Sequence, residues 1–220
     1  MKSFDPSLYF ISDSTGYSEE EFLARTEAAL QGGVTLMQLR EKDKTTREYL
    51  TLARKVHDLT RRYGVPLIID DRLDIAMAVD AEGVHLGQSD LPVDLARNLF
   101  GPDKIIGATA KTVEQALEAH SQGADYLGVG AIFPTTTKVI TILTSTEMLG
   151  RICAAVPIPV NAIGGLNRDN IHVLEGIPIA GICVVSAIMK AEDPRQAALS
   201  LRERAVELGI LKNGDPYSAR

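Results

Sequence analysis

Eight short apolar runs recur along the chain: "LYFISD", "TLMQLR", "PLIIDD", "GVHLGQ", "KIIGATA", "YLGVGAI", "IPVNAIGG" and "GICVVSAI". They are apolar almost throughout instead of alternating, the pattern of strands buried on both faces of a parallel sheet. Between them lie segments of helical period. "SEEEFLARTEAALQGG" places Phe22, Thr26, Ala29 and Leu30 on one side and stops at Gly32 and Gly33; "TTREYLTLARKVHDLTRRYG" has Thr45 or Thr46 as a cap and Tyr49, Leu52, Ala53 and Val56 on one face. "TVEQALEAHSQGAD" and "PRQAALSLRERAVELG" read the same way. Eight βα units at roughly 25-residue spacing predict a closed (β/α)8 TIM barrel over an open sheet. The expected single catalytic domain spans residues 1–210, and "LKNGDPYSAR", residues 211–220, is read as a polar tail.

A chain of 220 residues with 45% hydrophobic content suffices for one sizeable core. The formal charge of −6 leaves no global positive field for nucleic acid or an anionic membrane, so an anionic ligand must be met by a local cluster of cations or by a metal. Asp5 and Pro6 precede any apolar core of signal length, and no apolar run approaches the ~18 residues of a spanning helix; cytoplasmic residence is the expectation. Cys153 and Cys183 lie in apolar stretches without metal or redox spacing and are expected to be buried, reduced packing residues. The sequence leaves homo-oligomerisation open.

Barrel enzymes collect their reactive groups at the C-terminal ends of the strands. The second run closes with Gln38, Arg40 and Lys42, whose period of two points them one way and suits a diphosphate clamp, although a single such cation would be an ordinary rim charge. The third closes with Asp70 and Asp71, the fourth with Gln88 and Asp90. Each acid alone reads as a helix cap, with Asp71 or Asp74 serving "RLDIAMAV"; brought to one rim, Asp71 and Asp90 would instead suit Mg2+. Gly164 and Gly165, placed between the seventh run and a helix, and Ser186 after the eighth fall where this architecture seats a phosphate, though Gly-Gly is also a tight turn. His85 reads as a satisfied barrel histidine, and His57, His120 and His172 as helix-surface residues. The stretch "FPTTTKVITILTS", residues 133–145, is hydroxyl-rich with one lysine and no acid, a composition suited to a phosphate.

"QLREK", "DDR", "GVHLGQSDLP", "IIGATAKT", "GADYLGVGAIFPTTTK", "AIGGL" and "VVSAI", in this order over residues 8 to 208, resemble the thiamine phosphate synthase family. The resemblance implies a Mg2+-dependent transferase that joins 4-amino-5-hydroxymethyl-2-methylpyrimidine diphosphate to 4-methyl-5-(2-hydroxyethyl)thiazole phosphate, or its carboxylated form. The products would be thiamine phosphate and diphosphate, with CO2 from the carboxylated substrate. It further implies that Gln38, Arg40 and Lys42 bind the pyrimidine and its diphosphate and that Asp71 and Asp90 hold the metal. Thr109 would stand near the diphosphate. Thr135 and Thr137 would serve the thiazole and Lys138 the diphosphate, while Gly165, Val185 and Ser186 would seat the thiazole phosphate. Arg40, Lys42 and Lys138 are the expected catalytic cations. The implied chemistry is dissociative: the C–O bond breaks first, and the thiazole nitrogen captures the resulting cation, with no protein nucleophile.

Three positions depart from the family pattern. Asp70, expected to stand among the substrate-binding residues, occupies a position where asparagine is frequent, Ala131 one where proline is, and Ile140 one where an acid commonly follows the lysine two places on. The loop over residues 134–145 is expected to act as a lid. Two alternatives remain: a related thiazole tautomerase, whose members typically carry a histidine at the position of Ala131, and a non-catalytic binder of phosphorylated ligands.

Overall fold

The computed structural model describes residues 4–134 and 142–212. Thr135, Thr137, Lys138, Ile140 and most of the tail therefore lie outside the described residues. The strands are β1 (Leu8–Ser12), β2 (Leu36–Leu39), β3 (Leu67–Asp70), β4 (Gly83–Leu86), β5 (Ile105–Ala110), β6 (Tyr126–Gly130), β7 (Val160–Ile163) and β8 (Gly181–Val184). They pair in parallel in chain order, and β1 closes on β8, giving the expected closed barrel.

Burial has two compartments. Between strands and helices lies a large apolar layer that includes Leu8, Phe10, Met37, Leu39, Leu67 and Ile69, with helix residues such as Phe22, Leu30 and Val56 against them. Inside the barrel sit Tyr9, Ile11, Leu36, Ile68, Ile105, Tyr126 and Cys183, displaced by one residue from the outward set, as the period of a strand demands. Both faces are therefore buried, which is why the runs read as continuous.

Helices α1 (Glu19–Gln31) and α2 (Thr46–Arg62) bury the predicted faces. Thr45 is the cap of α2 and forms a reciprocal capping box with Glu48. Gly32 follows α1 where a Cβ would fall 2.5 Å from the Arg195 carbonyl oxygen, so close packing on α8 (Pro194–Glu207) requires glycine there. The remaining helices are α3 (Leu73–Ala78), α4 (Val93–Phe100), α5 (Val113–Ser121), α6 (Thr146–Ala155) and the short α7 (Ser186–Met189). No helix among the described residues is long and apolar enough to cross a membrane.

Several expectations are corrected. No α-helix follows β7: a four-residue 3-10 helix, Ile171–Leu174, stands there, and Gly176 and Pro178 follow it too closely for a longer helix. His57 is buried, with Nδ1 2.9 Å from the Val79 carbonyl and Nε2 3.1 Å from Glu82 Oε1, tying α2 to the turn before β4. Helix α3 has Arg72 at its N-cap and no side-chain cap bond; Asp74 pairs with Arg72 at 2.5 Å, and Asp71 is turned to other partners. Cys183 is buried in the barrel, but Cys153 is only half-buried. Ile210 and Leu211 are buried after α8, so packing reaches one residue into the stretch read as a tail.

Candidate active site

The inward positions at the C-terminal ends of the strands border a cavity of about 720 Å3. Gln38, Arg40 and Lys42 all line it, although β2 itself ends at Leu39. Gln38 is buried and donates from Nε2 to the Tyr9 hydroxyl at 2.7 Å. Arg40 reaches Asp13 Oδ2 at 3.2 Å and stands 3.8 Å from Asp70 Oδ2. Lys42 meets Asp70 Oδ2 at 2.7 Å and is also bonded to Asp71. Burial opposes the charge on Lys42, but the two aspartates, Asp70 foremost, outweigh it and lift the ammonium above its ordinary value.

Asp70 is buried, and burial joined by repulsion from Asp71 pushes its carboxyl up to about 6 against the pull of Lys42 and Arg40. The Tyr49 hydroxyl donates to the Leu39 carbonyl at 2.7 Å and lies 3.4 Å from that of Asp70, fixing the ends of β2 and β3 together. Asp71 adopts a left-handed backbone with φ 58, and its N–H donates to the His85 carbonyl at 2.9 Å; the turn swings its carboxylate toward Lys42 and Asp90. Asp90 Oδ2 accepts the Gly87 N–H at 2.7 Å. Burial raises the Asp90 carboxyl, the Gly87 N–H draws it back, and contact with Asp71 raises it again.

Asp71 and Asp90 thus meet at one rim. Two hard carboxylate oxygens driven together against their repulsion suit Mg2+, which takes one or two carboxylates and fills its shell with water and phosphate oxygens. Among the described residues no three or more His, Cys, Asp or Glu side chains are grouped for a metal, so this pair is what those residues offer.

Thr109, next to last in β5, faces the cavity, bonded through Oγ1 to His85 Nε2 at 3.0 Å. His85 is held by partners at both nitrogens, with the Tyr126 hydroxyl 3.1 Å from Nδ1, and burial lowers its pKa to about 4, so the ring is neutral at physiological pH. On the opposite rim, Gly164, Gly165, Val185 and Ser186 also line the cavity. Gly164 and Gly165 have φ 106 and 64, and a Cβ on Gly164 would fall 2.3 Å from that of Ala131. The loop after β6 is pressed onto the loop after β7, with Phe133 N–H donating to the Gly164 carbonyl at 3.0 Å. Beyond the undescribed residues, Thr144 returns to this point: its N–H donates to the Ala131 carbonyl at 2.8 Å and its hydroxyl to that of Gly130 at 3.1 Å.

Lys111 lines the cavity and was not singled out in the sequence. The alternation that selects Gln38, Arg40 and Lys42 selects Thr109 and Lys111 equally well, because β5 continues its pleat to Ala110. Tyr9 and Tyr126 were also missed, since a buried tyrosine in an apolar strand carries no outward sign that its hydroxyl is in use.

The family model for thiamine monophosphate synthase matches residues 8–188. The chain is 55% identical over 186 residues to thiamine-phosphate synthase 2 of Streptococcus pneumoniae, covering 84% of this chain and 89% of that protein. It is 51% identical over 203 residues to thiamine-phosphate synthase of Enterococcus faecalis, covering 91% and 96%. Among solved structures, a thiamine phosphate pyrophosphorylase from Pyrococcus furiosus superposes with TM-score 0.83 at 42% identity, covering 92% of this chain and 96% of that one. With the barrel, the rim chemistry and these matches in agreement over most of its length, this chain belongs to the thiamine monophosphate synthase family.

Proposed function

We infer that this protein is a thiamine phosphate synthase, a transferase acting on two small phosphorylated substrates. The observation that carries the reading is the convergence, in one cavity of a member of this family, of Gln38, Arg40 and Lys42 with the Asp71–Asp90 pair and, across the rim, Gly165 and Ser186.

In the proposed reaction the bond between the pyrimidine methylene carbon and the diphosphate oxygen breaks heterolytically, and its electron pair leaves with the diphosphate. The electron-rich aminopyrimidine supports the methylene cation until the lone pair of the thiazole nitrogen forms the new C–N bond. The chain's tasks are to hold two rings in line, exclude water and stabilise the negative charge that grows on the leaving group. Arg40 and Lys42, which line the cavity, are proposed for the last task, and Lys138, which lies outside the described residues, is proposed to join them with Thr135 and Thr137 on the thiazole side. Thr109 is proposed to donate to the diphosphate; Gly165, Val185 and Ser186 are proposed to receive the thiazole phosphate. Asp71 and Asp90 would hold Mg2+, which when bound supplies additional positive charge at the diphosphate. Loss of one preorganised donor in comparable sites costs about 3 to 4 kcal/mol of barrier.

The test is diphosphate release measured with each substrate alone and with both, with and without Mg2+. Release that needs both substrates and the metal supports the synthase. Binding without release would point to a non-catalytic relative, and isomerisation of a thiazole substrate without diphosphate chemistry to a tautomerase.

A further inference from the structure

Barrel closure puts β1 between β2 and β8, so the turn that follows β1 stands between the loop after β2 and helix α7 after β8. Residues 13–17 form that turn. The Tyr17 N–H donates to the Ser14 carbonyl at 3.1 Å and the Thr15 N–H to Asp13 Oδ1 at 2.9 Å. Gly16 takes φ 86, a backbone that glycine adopts without steric cost.

On one side the turn holds the loop after β2. Asp13 Oδ2 accepts from Arg40 Nη1 at 3.2 Å. Glu41 stands between Arg40 and Lys42 in the chain but not on the cavity wall, and only 4% of its side chain is exposed. Its carboxylate accepts the Ser14 N–H at 3.2 Å and the Ser14 hydroxyl at 2.9 Å, with Lys44 3.7 Å away. A buried carboxylate tolerates little loss of its donors, so Ser14 fixes the residue that joins the two cations.

On the other side the turn holds α7. A helix of four residues cannot keep its shape alone, although the Met189 N–H reaches the Val185 carbonyl at 2.9 Å and the Lys190 N–H that of Ser186 at 3.0 Å. Its far end is clasped from outside: the Tyr17 hydroxyl donates to the Met189 carbonyl at 3.0 Å, and Arg25 Nη1 to the Ala191 carbonyl at 2.8 Å. The Arg25 guanidinium carbon lies 5.0 Å from the Tyr17 ring centroid, so the two clasping groups brace each other. The near end of α7 is Ser186, which lines the cavity with Val185.

We propose that the β1–α1 turn sets both substrate seats from outside the cavity, with two positioning residues: Ser14 acts through Glu41 on the cations Arg40 and Lys42, and Tyr17 acts through α7 on Ser186. Ser14 and Tyr17 do not border the cavity themselves. The proposal rests on the synthase reading, which supplies one phosphorylated ligand for each seat.

The test is steady-state diphosphate release by the full chain with Mg2+, one substrate varied while the other is saturating. Tyr17→Phe is expected to raise the KM for the thiazole phosphate about threefold to tenfold and to leave that for the pyrimidine diphosphate within about twofold. Ser14→Ala is expected to do the converse, and Ser14→Thr, which keeps the hydroxyl, to restore the wild-type value. A general loosening of the fold would move both KM values together. Should either variant fail to fold, Arg25→Gln and Glu41→Gln weaken the same two ends and carry the same expectations. Folded variants in which both KM values stay unchanged, or rise together, overturn the proposal while the synthase reading stands. A wild type that releases no diphosphate from the two substrates overturns both.

Discussion

Lys42 Nζ lies 2.7 Å from Oδ2 of Asp70, and the same ammonium is held by Asp71, the next residue in the chain. One cation of the proposed diphosphate clamp is therefore already matched by two carboxylates before ligand arrives, and Arg40 is likewise turned toward Asp13. Burial of Asp70 makes its charge costly, and the ion pair with Lys42 offsets part of that cost.

Asp70→Asn should release Lys42 to the diphosphate. The expected outcome is a KM for the pyrimidine diphosphate lower by about threefold to tenfold, because a competing carboxylate is removed while the side-chain volume is kept. A KM that rises instead would mean that Asp70 orients Lys42 and does not compete for it.

Asp71→Asn tests the acid pair without disturbing the backbone. Asp71 has φ 58, a conformation that asparagine tolerates and alanine does not, so the amide keeps the turn and removes only the charge. Turnover should fall by about a hundredfold or more, with the concentration of Mg2+ needed for half-maximal rate raised, while the urea midpoint stays near wild type. Wild-type rates would remove Asp71 from the mechanism.

Lys111→Ala should raise the KM for the pyrimidine diphosphate about tenfold, since Lys111 lines the same cavity two residues beyond Thr109. A KM unaltered at low ionic strength, where such a contact is least screened, would assign Lys111 to the solvated rim.

Tyr49→Phe removes the hydroxyl that bonds the Leu39 carbonyl at 2.7 Å. The carbonyls at the ends of β2 and β3 lose a buried partner, and urea denaturation should report a stability lower by about 1 to 2 kcal/mol. No change would mean that the carbonyls are satisfied elsewhere.

Burial pushes the Cys153 thiol up to about 11 from an ordinary 9.0, and that of Cys183 further still. The fold favours the neutral thiols, so their contribution to stability is intact below pH 9 and is lost as pH rises through the unfolded value toward the folded one. At neutral pH the Cys153 thiolate is scarce, so native protein should alkylate slowly and about tenfold faster per pH unit, while urea-unfolded protein reacts at both cysteines at once. Rapid native alkylation at neutral pH would contradict the packing of Cys153.

The strand runs were legible because both faces of each strand are buried, which leaves an apolar stretch of the right length whatever the residue order within it. Gln38, Arg40 and Lys42 were legible because alternation needs only strand geometry, and the same rule applied to β5 would have found Lys111. Asp71 was not separable from a helix cap: its left-handed turn, and the preference for Lys42 and Asp90 over the start of α3, depend on where β4 lies. His57 was misread as a surface residue because Val79 and Glu82, which hold it, come from other elements.

The amino-acid sequence by itself determined the barrel, the helices that cover it and the strand ends where polar groups collect, because periodicity and capping act over a few residues. Only the tertiary structure decided which of those groups meet. The Asp71–Asp90 contact, the sharing of Lys42 and the bonds from Gln38 to Tyr9 and from His85 to Thr109 each join different strands, and strand pairing and barrel closure set distances that no spacing along the chain encodes.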